Sequence, residues 1–256
     1  MFRYQLLICA LLMTASARNK APMSEFKEEQ LKFSRVRTAY SEKEVGVKAL
    51  FDKAGIEFPE YDLLIQAFKK EQKLEVWAKS KTNSKYQHVT TYDFCMLSGI
   101  LGPKRREGDG QVPEGFYHID RFNPASNFYL SLGINYPNAS DRIKGRQGSL
   151  GGDIFIHGDC VTIGCIPITT PLIKELYIMC VEAKSSGQSR IPVHIYPGKL
   201  DDEGWEDLQL TYANKPELID FWQQMKLGHV RFEADSTIAK VSVATTGEYQ
   251  FKQLAH

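Results

Sequence analysis

Residues 151–171 read GGDIFIHGDCVTIGCIPITTP, and the understanding of the whole chain turns on them. They place His157, Thr162, Gly164 and Cys165 within nine positions, directly after a short apolar run. A thiol attacks only as the thiolate, so it needs an imidazole or other positive surroundings to lower its pKa. The same imidazole can later return the proton to a leaving group. Gly164 frees the backbone before Cys165 for a conformation other residues avoid, so that amide N–H groups can face a developing oxyanion. The plain alternatives are a buried structural thiol at Cys165 and a satisfied strand-end histidine at His157.

Working outward, strand-like runs surround this stretch. Residues 63–68 and 74–79 flank the polar KKEQK as a hairpin, and 87–97 are β-rich. A long glycine, proline and charge loop covers 98–115, and strands are expected at 116–121, 128–136, 154–157 and 193–196. Strands at such short intervals argue for a mostly β (α+β) fold with a largely antiparallel, sandwich or barrel-like core. Residues 24–55 carry a helical pattern in which Ser41 and Glu44 look like a capping box. Thr170 and Pro171 open a helix to about Ala183, and a last helix is expected over 216–225. The expected division is a signal peptide (1–17), a helical leader (18–56), a catalytic domain (57–200) and a C-terminal helical extension and tail (201–256).

Arg3, an apolar run to Met13 and small residues at 15–17 have the form of a secretory signal, which implies a periplasmic location. No later run is long enough to span a bilayer, so no transmembrane segment is expected in the mature chain. The 256 residues hold 32 basic and 31 acidic side chains, and removal of residues 1–17 takes Arg3 alone. That balance gives no electrostatic case for a nucleic-acid partner. Four cysteines remain, Cys95, Cys160, Cys165 and Cys180. Cys160 is read as loop packing; a disulfide to Cys165 is the alternative that would remove the nucleophile.

In sum, the chain resembles the L,D-transpeptidase catalytic domain family (YkuD type), and within it a YafK-like murein branch. The resemblance rests on His157, Gly158, Thr162, Ile163, Gly164 and Cys165, with GPKRREGDGQVPEGFYHI and FYLSLGINYPNASDR upstream. In the commoner members a second histidine precedes the glycine and an arginine follows the cysteine by two positions, where this chain has Ile163 and Pro167. The spacing from His157 to Thr162 is also much shorter, so the intervening lid is nearly absent.

The resemblance implies a periplasmic enzyme acting on peptidoglycan stem peptides through a Cys165 thioester at the L-centre of diaminopimelate. His157 would be the base and then the acid, the Gly158 carbonyl would hold its tautomer, and the N–H groups of Gly164 and Cys165 would cradle the oxyanion. Thr162 would support the loop. The branch points to hydrolysis of the diaminopimelate–lysine link to murein-bound outer-membrane lipoprotein, with formation of cross-links or lipoprotein attachment as the alternative. No metal or organic cofactor is implied. His118 is by default a packing residue. It and Arg106 and Arg146 are the candidates for substrate binding, because a bidentate arginine suits a stem carboxylate. Two other classes compete: a zinc hydrolase built on His118, His157, Asp159 and two cysteines, and an inactive wall-binding module.

Overall fold

The computed structural model describes residues 24–252; the expected signal at 1–17 lies outside the described residues. The strand β1 (Tyr61–Phe68) is buried along nearly its whole length, as a strand covered on both faces must be. It pairs antiparallel with β2 (Lys73–Ser80), the expected hairpin, and parallel with β8 (Pro192–Tyr196). Alternation along β1 sends Leu63, Ile65 and Ala67 into one core and Leu64 and Phe68 into packing on the opposite face.

The remaining strands are β3 (Gln87–Asp93), β4 (Gly115–Asn123), β5 (Ser131–Ile134), β6 (Phe155–His157) and β7 (Ile166–Pro167), and the sheet order is β3-β2-β1-β8-β4-β5-β6-β7. The first half of β4 pairs with β8 and the second half with β5, across an irregularity between Ile119 and Arg121. Such a bulge bends the strand, and the sheet curls into a half-barrel in a mixed α+β fold. The pairing is less uniformly antiparallel than expected: β1 with β8 and β6 with β7 are parallel.

One face is covered by α4 (Thr170–Ser185), against which α1 (Glu25–Leu31) and α2 (Ser34–Lys53) pack. Glu182, buried on α4, accepts from Lys27 and from Tyr40 Oη at 2.7 Å, and Tyr177 Oη donates to Gln30 at 2.6 Å. The other face is covered by α5 (Asp202–Thr211) and α6 (Pro216–Asp235), with the hairpin of β9 (Lys240–Val243) and β10 (Tyr249–Lys252) against α6. A short helix, α3 (Ala139–Lys144), carries a capping box between Asn138 and Asp141.

Two local expectations are corrected. Ser41 and Glu44 lie inside α2, because Val36, Ala39, Val47 and Phe51 bury one continuous stripe through that point; the capping serine is Ser24, which accepts from Lys27 N–H. The last long helix continues past Met225 to Asp235, because His229 and Phe232 extend the buried stripe of Trp222 and Met225.

A buried ion pair ties these layers to the long loop before β4. Lys69, just after β1, is fully buried and pairs with Glu114 at 2.9 Å. Its ammonium also donates to the carbonyls of Ile100, Gly102 and Val112. Glu114 accepts from Gly102 N–H and from the indole of Trp222 on α6, each at 2.7 Å. Desolvation alone would make this pair costly, but three carbonyls meet the ammonium and each Glu114 oxygen accepts a hydrogen bond. Lys69→Ala strands the Glu114 carboxylate and is expected to cost about 3–5 kcal/mol, read as a lower urea midpoint.

Two histidines are buried between the sheet and α6. His194 is pushed down to about 3 and His229 to about 4, burial being the largest cause for both. Lys199, Asp201, Glu75 and Lys226 surround His229 with opposing effects. Glu233 lies 3.8 Å from Nε2, too far to hydrogen-bond, and neither ring nitrogen has a partner among the described residues. The unfolded chain takes up these protons near pH ~6.5, the folded chain only at the lower values. This contribution is therefore full above about pH 6.5 and is lost as pH falls through 4 towards 3. The urea midpoint is expected to drop on acidification from pH 6.5 to 4, and less steeply in His229→Leu.

Candidate active site

β6 and β7 run parallel, with Ile156 opposite Ile166 and His157 opposite Pro167. Ile156 and Ile166 are both buried in the core. The pleat turns the residue after Ile156 and the residue before Ile166 to the other face, so His157 and Cys165 share it. Cys165 is free and half-buried, and His157 is covered by Phe128, whose ring stacks on the imidazole at 4.6 Å.

His157 Nδ1 is bound to the Gly158 carbonyl. A carbonyl only accepts, so Nδ1 carries the proton and Nε2 holds the lone pair that a base needs. Thr162 organises the turn from both sides: its hydroxyl donates to the Cys165 carbonyl at 2.8 Å and accepts from Gly164 N–H at 3.1 Å. Gly164 has φ +135°, and a Cβ there would sit 3.0 Å from the Gln111 carbonyl oxygen. Glycine is required on both counts.

Two expectations differ from the geometry. Gly164 N–H is bound to Thr162 and does not face an oxyanion position. Among the described residues, Cys165 and His157 form no hydrogen bond: Sγ donates to the Asp153 carbonyl at 3.6 Å and accepts from Phe155 N–H at 3.4 Å. In this arrangement burial is the largest influence on both groups. Burial pushes the Cys165 thiol up, aided by Asp153 and opposed by Phe155 N–H and Lys104. Burial pulls His157 down, opposed by the Gly158 carbonyl and Asp159. Both groups rest neutral, as thiol and imidazole, not as an ion pair.

Cys160 is not loop packing. It is bonded to Cys95, 65 positions away, and so leaves Cys165 free. The even cysteine count was the only sequence signal for this bridge, and it does not name partners.

Arg106 and Arg146 are exposed on two loops that run together, Arg146 N–H donating to Arg105 O at 3.0 Å and Glu107 N–H to Ser149 O at 2.9 Å. Neither guanidinium is in an ion pair among the described residues. His118 lies elsewhere. Asn135 N–H donates to its carbonyl, whereas His157 pairs with Ser131 at the other end of β5, about 13 Å away by strand rise. His118, His157 and Asp159 therefore do not converge as a ligand set, and Cys95 and Cys160 are spent on each other. Phe128 carries no local signal in the sequence. Arg121, which the sequence leaves undistinguished among several basic residues of a solvated face, lies over the Phe155 ring at 4.8 Å and pairs with Asp153 at 2.6 Å. A cleft lined by Arg105, Lys144, Glu217, Phe221 and Gln224 contains none of the site residues.

Residues 62–195 match the family model of the L,D-transpeptidase catalytic domain, YkuD. The chain belongs to the L,D-transpeptidase catalytic domain family. It is 38% identical over 194 residues to the Escherichia coli K12 protein YafK, which carries an L,D-transpeptidase name, covering 75% of each chain. Among solved structures it is similar to the helical cell shape determining protein Pgp2 of Campylobacter jejuni, at 18% identity and TM-score 0.43, over 73% of this chain and 74% of that one. It is similar also to Bd1075 of Bdellovibrio bacteriovorus, at 22% identity and TM-score 0.39, over 66% and 63%. Neither score carries an argument here. Family membership supports a peptidoglycan-modifying enzyme working by acyl transfer. No helix among the described residues is long and apolar enough to cross a membrane.

The Thr162 hydroxyl joins Gly164 to Cys165, so Thr162→Val removes two hydrogen bonds of ~1 kcal/mol each from the turn before Cys165. We expect about a tenfold or greater loss in the rate at which a carbapenem acylates Cys165, followed by intact mass, with a small change in Tm.

Proposed function

We propose that the protein is a periplasmic hydrolase that cuts the bond between the L-centre carbonyl of diaminopimelate and a lysine amine of murein-bound lipoprotein, through a thioester on Cys165. The observation that supports a polypeptide on the amine side is the shape of the turn between His157 and Cys165. It is short, and its apolar side chains face solvent: Ile163 is 88% exposed and Val161 is also exposed. Met96, beside the disulfide, Ile100, whose N–H is bound to the Gln111 side chain, and Phe128, over His157, extend this apolar rim. Peptidoglycan stems are polar and offer such a rim little, whereas a protein segment next to the linked lysine has side chains that gain from it.

In this mechanism Sγ rotates about χ1 away from the Asp153 carbonyl towards His157, and Nε2 takes its proton as the sulfur attacks. A neutral imidazole is the form that can accept, so the lowered His157 pKa keeps the base ready. The tetrahedral oxyanion is held by Cys165 N–H, since Gly164 N–H is engaged. The imidazolium then gives its proton to the departing lysine amine, leaving the thioester. Water attacks next, with Nε2 again accepting the proton, and the released carboxylate leaves Cys165 as thiol. Arg106 and Arg146, both exposed, would bind a carboxylate of the stem.

The test is to incubate the purified protein with lipoprotein-bearing sacculi and identify products by mass spectrometry. Free lipoprotein ending in an unmodified lysine amine is expected; new links between two diaminopimelates would replace this reading with the transpeptidase. Cys165→Ala is expected to abolish turnover with the fold intact, and His157→Gln to lower it about 10³-fold or more. Turnover surviving in Cys165→Ala would end the assignment.

A further inference from the structure

We propose that the Cys95–Cys160 disulfide is a positioning device for the His157–Cys165 pair, standing where a longer lid is missing, so that the pair becomes reactive only after this bond has formed. The proposal rests on the reading of Cys165 as nucleophile.

The turn at 158–164 has the base at one end and the nucleophile at the other. Both ends are anchored without covalent help. Gly158 N–H donates to Leu130 O at 3.3 Å, Asp159 Oδ1 accepts from Thr170 Oγ1 at 3.1 Å, and Gly164 packs on the Gln111 backbone. Among the described residues, and apart from the disulfide, the middle is held only by the local bonds of Thr162 to Gly164 and Cys165, which tie the turn to itself and not to the rest of the fold. Cys160, Val161 and Ile163 are exposed, so no apolar burial keeps this part of the turn in place. The sulfur bridge is what ties it down.

The other end of the bridge is fixed at the site itself. Cys95 N–H donates to the carbonyl of Pro167 at 3.0 Å, and Pro167 is the residue paired with His157 across β6 and β7. A closed circuit results, running from His157 to Cys160, across the disulfide to Cys95, through the hydrogen bond to Pro167 and back to His157. Opening it at the sulfurs frees the turn that carries Thr162 and sets the approach of Sγ to Nε2. It leaves the core in place, since neither cysteine belongs to the buried clusters.

Formation of the bond is an oxidation. Each thiol loses its proton, one sulfur–sulfur bond forms, and the two electrons reduce the disulfide of an oxidised thiol carrier, such as glutathione disulfide, to two thiols. Cys165 takes no part and stays free. A chain still in a reducing compartment would thus be folded but poorly reactive, and would become competent after export.

The experiment compares oxidised protein, protein reduced with a phosphine, and the Cys95→Ala/Cys160→Ala double variant. Acylation of Cys165 by a carbapenem is followed by intact mass, beside far-UV circular dichroism, Tm and the pH dependence of the acylation rate. The reduced protein and the double variant are expected to acylate at least about tenfold more slowly with an unchanged far-UV spectrum. The acid limb of their pH profile should move up towards that of an unburied imidazole, and glutathione disulfide should restore the reduced wild type but not the double variant. A rate within twofold of the oxidised protein, or a loss that only tracks the unfolded fraction, overturns the proposal. Absence of acylation in the oxidised wild type would instead remove the nucleophile reading beneath it.

Discussion

The parallel pairing of β6 with β7 is the constraint on which the site depends. Each strand contributes one isoleucine to the core, and burying Ile156 beside Ile166 fixes the register. Side chains alternate with a period of two, so a slip of one residue would turn either His157 or Cys165 inward. Core packing therefore holds an imidazole and a thiol on one face without any bond between them. Two strands of three and two residues could not hold this alone. They do so as the end of an eight-stranded sheet whose curl is set by β4.

The polar groups around the site divide into those that hold backbone and those that face the reaction. Lys69 and Glu114 belong to the first kind: three carbonyls and an indole converge on them and fix the loop from Ile100 to Val112, whose last part, at Gln111, meets Gly164. Thr162 and the Gly158 carbonyl hold the turn and the imidazole. Burial pulls the His157 imidazole down and pushes the Cys165 thiol up, which favours the uncharged form of each. A neutral pair avoids the desolvation cost of a buried ion pair.

In the proposed function the same turn would link chemistry to partner choice. The segment between His157 and Thr162 is short, Val161 in it and Ile163 next to it are exposed, and the Cys95–Cys160 bond ties it to the end of β3. On the proposed reading, the length of this loop bears on what can dock and on what holds His157 and Cys165 together.

Much was legible in the sequence because it is local. The β1–β2 hairpin, the strand ending at His157, the helix that follows Pro171 and the family signature from His157 to Cys165 all follow from short-range pattern and spacing. The extent of α2 and α6 was not, because a buried stripe interrupted by polar residues shows its continuity only against its packing partner. Residue types alone determined that a thiol, an imidazole, a hydroxyl and a glycine would lie within one turn. The tertiary structure decided the contacts that long-range packing makes: Cys95 with Cys160, Phe128 over His157, Gln111 against Gly164 and the neutral resting state of the pair. A sequence carries the reactivity of its side chains, but burial and the distance between remote residues set their protonation and their partners, and these exist only once the chain has closed on itself.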